Sequence, residues 1–306
     1  MKTVTRRHFL ATTAAALPAA AQSAPSTRDG WIDAHVHVWS PDTEAYPLAK
    51  GYKKENMKPA NFTPEELLAL ANPAGVSRIV LIQMSFYRFD NRYMLDTMAK
   101  FPGVFGGVAV IDENGPDPAA EMRELNARGV RGFRVRANEE TIGAWPKAEG
   151  LKQMWKTAAE TGQAICCLAT PAAFPAIRGM CEAFPKTPVV IDHFGRVGSK
   201  GTTIVDSELE NLCRLSEFKT VSVKVSAFYA LGKKLPPYDD LAPMIRRLRD
   251  SFGSDRLMWA TDCPFQVQNG HTYGESITLI RDRLDFLSDD DKTRMLRTTA
   301  DRVFFG

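Results

Sequence analysis

The sequence predicts a (β/α)8 barrel, and three observations carry that expectation. From residue 31 onward, short apolar, β-branched runs alternate with segments of helical periodicity, the pattern of βαβ units around a parallel sheet. Eight such units fit into about 275 residues, close to the ~250 typical of this barrel. No Gly-rich phosphate turn follows the first run, where "HVHVWSPD" stands instead, and this disfavours a doubly wound open sheet.

The expected strands are 31–39 ("WIDAHVHVW"), 78–85, 104–111, 130–137 ("VRGFRVRA"), 164–170 ("AICCLAT"), 188–195 ("PVVIDHFG"), 221–227 and 257–264 ("LMWATDCP"). The first helix, 63–71, opens with the capping box Thr63 to Glu66 and has Pro64 at its first position, where the missing N–H costs nothing. Further helices are expected over 91–101, 117–129, 151–162, 172–184, 206–218, 239–253, 274–287 and 288–305, several closed by glycine and the last capped by Ser288. Internal repeats and low-complexity tracts are absent, and no run reaches the roughly 18–20 apolar residues of a membrane span.

The first 21 residues read differently. Arg6 and Arg7 precede Phe9, Leu10 and an Ala-rich stretch, and Ala19–Ala21 offer a small-residue cleavage site. This is the layout of a twin-arginine (Tat) export signal. The organisation expected is therefore a Tat-type signal over 1–21, a linker over 22–30, one barrel domain over 31–306, and a periplasmic location. Of the 39 lysines and arginines, three (Lys2, Arg6, Arg7) belong to the leader, so the mature chain carries 36 against 36 acids. That balance gives no basis for nucleic-acid binding or a polybasic membrane patch. The five cysteines, at 166, 167, 181, 213 and 263, form no C-x-x-C pair and read as small buried hydrophobes rather than a disulfide framework.

In a (β/α)8 barrel the chemistry sits at the C-terminal ends of the strands, and the unusual polar residues sort there. His35 and His37 lie two apart on the first strand and share a face, with Asp33 expected beneath them. His193 ends the sixth strand and Asp262 the eighth. An aspartate in a closed cavity can take a proton from water. Imidazoles can polarise a carbonyl, directly or through a metal. The set suits hydrolysis of a lactone or similar electrophilic carbonyl.

"DAHVHVW", "DHFG" and "WATDCP", in this order, resemble the amidohydrolase superfamily, and in particular its amidohydrolase-2 branch of pyrone dicarboxylate, sulfomuconolactone and sugar lactonases. The branch also contains metal-dependent decarboxylases. The resemblance implies a TIM barrel and a hydrolytic or lyase reaction, with functional residues at His35, His37, His193 and Asp262. Strand four lacks the carbamylated lysine of many members, strand five lacks the histidine ligand of the decarboxylases, and Thr299-Ala300 replaces a usual Asn-Ala pair. The ligands left for a divalent ion are His35, His37 and Asp262. Either no cofactor is required, as in the pyrone dicarboxylate type, or a single weakly held ion such as Zn2+ is bound.

Substrate contacts are expected from Arg134 and Arg136, which share a face of strand four and suit an anionic substrate. The alternative is that both point outward as ion-pair partners. Arg131 reads as structural. Ser85 is placed to hydrogen-bond substrate, and Phe86 and Tyr87 to form a wall. Lys224 and Tyr229 are a second pair, with Lys224 either an anion clamp or a salt-bridged core lysine. Residues 40–62 read as a lid or mouth loop, with Tyr46 and Tyr52 as contacts. Arg196 and His271 also fall at the active face. The function expected is an exported hydrolase of a small anionic lactone or cyclic ester. Its rivals are a metal-dependent decarboxylase and a non-catalytic periplasmic binding protein. The sequence leaves homo-oligomerisation open.

Overall fold

The computed structural model describes Met1 and residues 30–306. The expected export signal, and all but the last residue of the linker, lie outside the described residues. Eight strands form one sheet in the order β1 to β8, and every neighbouring pair is parallel. They are β1 (Trp31–Val36), β2 (Val76–Ile82), β3 (Phe105–Ala109), β4 (Val130–Ala137), β5 (Ala164–Ala169), β6 (Val189–Ile191), β7 (Val221–Val225) and β8 (Leu257–Trp259). The intervening helices are α1 (Pro64–Ala71), α2 (Arg92–Lys100), α3 (Pro118–Ala127), α4 (Glu149–Thr161), α5 (Phe174–Ala183), α6 (Asp206–Arg214) and α7 (Ala242–Phe252). After β8 come α8 (Tyr273–Thr278), α9 (Asp289–Thr293) and α10 (Thr299–Phe304).

Local signals place the helix ends where the sequence put them. Thr63 Oγ1 accepts from Glu66 N, and the Glu66 carboxylate accepts from Thr63 N at 2.7 Å. Ser288 caps α9 through the same reciprocal pair with Asp291. Gly162 ends α4 at φ +75°, a left-handed cap that glycine adopts without a Cβ penalty. All five cysteines are free and buried. Among the described residues no helix is long and apolar enough to cross a membrane.

Every strand but β4 stops short of its expected top, and at β1, β6 and β8 polar residues leave the ladder there for the site. The seam between β8 and β1 closes through these same segments. His37 N donates to Cys263 O at 2.8 Å and Asp262 N to His35 O at 2.9 Å, around a bridge between Val36 and Cys263.

β1 departs from strict alternation. Its register with β2 runs Asp33 to Ile79 and then Val36 to Leu81, so β1 carries one extra residue between them. Such a bulge re-aims side chains. Ile32 and Ala34 pack inside the barrel with Val80, Val108 and Met258, while His35 and His37 face the interior beyond the bulge. Asp33 is therefore not beneath the histidine pair. It faces outward, where it accepts from Thr261 N (2.9 Å), Thr261 Oγ1 (2.5 Å), Tyr273 Oη (2.8 Å) and His35 N (3.2 Å).

The barrel floor is closed by the C-terminus. Ala300 and Phe304 of α10 pack into the interior cluster with Ile32, Ala164, Cys166 and Ala260. Small residues make room for them, and a Cβ on Gly106 would stand 3.1 Å from the Phe304 carbonyl oxygen. Thr299 is buried and its hydroxyl donates to Ser254 O at 3.4 Å, so this departure from the Asn-Ala pattern is a packing position.

Candidate active site

Two of the strand-end residues are held in the left-handed region, His193 at φ +52° and Asp262 at φ +71°. Non-glycine residues adopt this region rarely, and their surroundings must hold them there. Asp262 is flanked by Thr261, which Asp33 grips at both backbone and hydroxyl, and by Cys263, whose N donates to Thr261 Oγ1 at 3.0 Å. His193 is followed by Gly195 at φ +60°, where a Cβ would meet the Phe174 ring at 2.4 Å. That close approach accounts for the glycine of "DHFG".

The structure brings His35, His37, His193 and Asp262 together, all of them buried. Asp262 Oδ1 lies 3.3 Å from His37 Nε2, 3.5 Å from His35 Nε2 and 3.8 Å from His193 Nε2. Asp262 Oδ2 accepts a 2.6 Å hydrogen bond from Tyr229 Oη. Oδ1 is buried and has no hydrogen-bond donor.

The imidazole protonation pattern follows from the outer nitrogens. His37 Nδ1 lies 2.8 Å from Ile82 O. A carbonyl only accepts, so Nδ1 carries the proton and Nε2 of the neutral ring is a bare lone pair. Ser226 Oγ has the Lys224 carbonyl as its acceptor at 3.5 Å and sits 2.9 Å from His193 Nδ1. It therefore accepts from His193, which leaves that Nε2 bare too. Burial, with Lys224 and His193 nearby, keeps His35 far below the usual imidazole range. Burial likewise pushes His193 down to about 4, against the pull of Asp262 and Asp192. Burial raises Asp262, and imidazoles in their protonated form beside it would lower the carboxyl.

Lone pairs on His37 and His193 thus converge on a carboxylate oxygen that lacks a donor, an arrangement that calls for a proton or a cation. A tetrahedral ion with ligands at about 2.0–2.1 Å has ligand–ligand edges of about 3.4 Å, near the separations seen here. These residues fit a divalent ion such as zinc. The ligand set read from sequence was His35, His37 and Asp262. The structure groups His193, not His37, with His35 and Asp262, their ligand atoms all within 4.8 Å of one another.

Beneath this set lies a buried ion-pair layer that the sequence reading missed. Asp192, fully buried, sits 3.1 Å from Lys224 Nζ, 3.4 Å from His35 Nδ1 and 3.5 Å from Arg134 Nε. Burial would raise its carboxyl, yet Lys224, His35 and Arg134 together hold it well below the carboxylate range. The available signal was its place beside His193 in "DHFG", where attention went to the ring alone.

Arg134 points inward. Its Nη2 lies 3.2 Å from His35 Nε2. Arg136 is exposed and lines an outer chamber of about 460 Å³ with Lys50, Tyr52, Arg88 and Trp145. The inner chamber, about 310 Å³, is lined by His37, His193, Arg196, Tyr229, Asp262 and Phe265. Ser85, Arg134 and Leu168 border both chambers. A separate cleft of about 740 Å³ lies on the helical shell between α6 and α7 and contains none of the strand-end residues.

Several expected contacts lie elsewhere. Lys224 is fully buried under His35, over the Phe304 ring at 5.2 Å, so it is the ion-paired core lysine and not a substrate clamp. Tyr87 lines neither chamber. It is buried with its hydroxyl accepting from Ser40 N at 3.1 Å, because the chain turns its ring under the mouth loop. Phe86 packs edge-on against Trp39. Tyr46 donates to Asp96 at 2.9 Å on the outer face. His271 Nδ1 bonds the Tyr238 hydroxyl at 2.8 Å outside both chambers. Arg131 bonds Asn126 and the C-terminal carbonyl, a structural role.

A (β/α)8 barrel with an H-x-H pair on β1, a histidine after β6 and an aspartate after β8 defines an amidohydrolase-type site. The chain belongs to the amidohydrolase family, whose model matches residues 32–306. It is 32% identical over 253 residues to a 2-pyrone-4,6-dicarboxylate hydrolase of Comamonas testosteroni, a match covering 79% of each chain. It is 27% identical over 282 residues to an L-fucono-1,5-lactonase of Burkholderia ambifaria, covering 88% of this chain and 93% of the relative. Its fold matches the crystal structure of an amidohydrolase from Burkholderia multivorans with bound zinc at a TM-score of 0.75 and 18% identity. That match covers 90% of this chain and 99% of the other, and at this identity the likeness concerns the fold alone.

Proposed function

We propose that this protein is an exported, periplasmic hydrolase that opens a small anionic lactone or cyclic ester. The observation carrying the reading is the convergence of three imidazoles on the donorless Oδ1 of Asp262 at the mouth of the barrel. The lactone-hydrolysing relatives supply the bond class. Asp262 Oδ1 takes the proton of the attacking water. The bare Nε2 of His37, 3.3 Å away, shares that proton. The shared proton is then passed to the ring oxygen as the C–O bond breaks.

The oxyanion is stabilised differently from the sequence expectation. A neutral imidazole that presents a lone pair cannot donate to it. Arg134, bordering both chambers, is the donor on hand, and Arg196 at the mouth is the second. Arg136, Arg88 and Lys50 make the outer chamber cationic and suited to a substrate carboxylate. A divalent ion held by His35, His193 and Asp262 would, when bound, polarise the carbonyl and acidify its water.

The test is a lactone panel assayed on the mature protein with and without chelator. Asp262→Asn should lower kcat by about a thousand-fold or more with unchanged far-UV circular dichroism. Turnover within tenfold of wild type removes Asp262 as the base. A decarboxylase reading is disfavoured because β5 offers Cys166 and Cys167 where a histidine ligand is needed. Tight binding of a panel member without turnover would instead support the binding-protein reading.

A further inference from the structure

We propose that Arg134 is a built-in cation that sets how weakly this site holds a divalent metal. Its guanidinium stands where a metal would impose its charge, and the two compete.

The argument starts from contact geometry. Arg134 Nη2 lies 3.2 Å from His35 Nε2, the same nitrogen that faces Asp262 Oδ1 at 3.5 Å. A guanidinium has donors only. To accept from it, His35 must offer the Nε2 lone pair that an ion would need as its ligand. On the other edge of the ring, Lys224 Nζ sits 3.2 Å from Nδ1, so His35 is flanked by a cation at each nitrogen.

The charge of the layer leads to the same conclusion. The charged side chains of the layer are two carboxylates, Asp192 and Asp262, and two cations, the buried Lys224 and the partly buried Arg134. They sum to zero. A divalent ion entering this layer leaves it at +2 in a water-poor cavity, where unpaired charge is costly. Without Arg134 the layer stands at −1, and the same ion brings it to +1. The donor geometry welcomes a metal while the charge balance opposes it, and the residue that tips the balance is Arg134. Its Nε lies 3.5 Å from Asp192 Oδ2, which keeps the guanidinium beside His35 where it also borders both chambers.

The inference rests on the convergence of imidazoles on Asp262 and not on the lactone reading, which a turnover assay tests separately. Zinc affinity of the full mature protein is measured by competition with a chelating dye, for wild type, Arg134→Met, Arg134→Gln and Arg134→Lys, each checked for folding by circular dichroism. The neutral variants should bind zinc at least tenfold more tightly than wild type, and Arg134→Lys should stay near wild type. The Gln variant keeps hydrogen-bond donors toward Asp192 and serves if the Met variant does not fold. His193→Ala in the Arg134→Gln background should abolish the gain. Neutral variants that bind no tighter than wild type overturn the proposal. So does a gain of equal size in Arg134→Lys, or one that survives His193→Ala.

Discussion

Asp192 neutralises Lys224, faces His35 Nδ1 and anchors Arg134, all at 3.1–3.5 Å and without solvent. A buried pair of this kind contributes little net stability compared with an apolar core, but removing one partner strands a charge. Asp192→Asn should therefore destabilise the protein by about 3–5 kcal/mol in denaturant titration. Asp192→Asn with Lys224→Met should recover part of that loss, and a double variant as unstable as the single one contradicts the pairing. At this scale the sequence made the clustered strand-end residues legible, because histidines at strand ends stand out from an apolar run. Asp192 and the true role of Lys224 were not legible. Both sit on strands or strand ends where burial and partner are decided by residues far away, at positions 35 and 134.

β1 shows what a single extra residue does. Strict alternation places Asp33, His35 and His37 on one face, and the bulge between Asp33 and Val36 splits them. Asp33 becomes a staple across the seam, gripping Thr261 on one strand end and His35 N on the other, with Tyr273 of α8 as a third partner. Burial raises its carboxyl to about 6 even against those hydrogen bonds. Asp33→Ala leaves at least three buried donors without an acceptor. At about 1–3 kcal/mol for each lost partner, it should lower the unfolding free energy by at least about 3 kcal/mol. It should also cut kcat more than it raises KM, because Asp262 loses the clamp on its neighbour. A variant as stable and as active as wild type removes the staple. Eight strands and the helix caps at Thr63 and Ser288 were readable because periodicity and capping are local. The bulge was not, since a register shift exists only between two strands.

The whole molecule links floor and mouth. Phe304 of α10 plugs the barrel beneath Lys224, so the last turn of the chain supports the layer on which the site stands. Phe304→Ala should cost about 3–5 kcal/mol, in line with large-to-small core substitutions, measured as a shift in urea midpoint at constant slope. A midpoint within experimental error of wild type would show that the C-terminal plug is dispensable. The two chambers above the floor meet at Ser85, Arg134 and Leu168. Ser85 follows β2, while Arg134 and Leu168 stand on β4 and β5, so three separate segments of the chain meet at the boundary between the chambers.

The sequence by itself determined the barrel, its helix boundaries and the four strand-end residues, because these depend on periodicity, capping and residue type within short windows. Beyond residue 21 it carries 36 lysines and arginines against 36 acids. Tertiary structure alone decided which way Asp33 faces, that Lys224 is a buried partner of Asp192, that Tyr87 lies beneath the mouth loop, and that Arg134 reaches His35. Each of these depends on distances between residues tens to hundreds of positions apart, and charge–charge and lone-pair interactions act through space rather than along the chain.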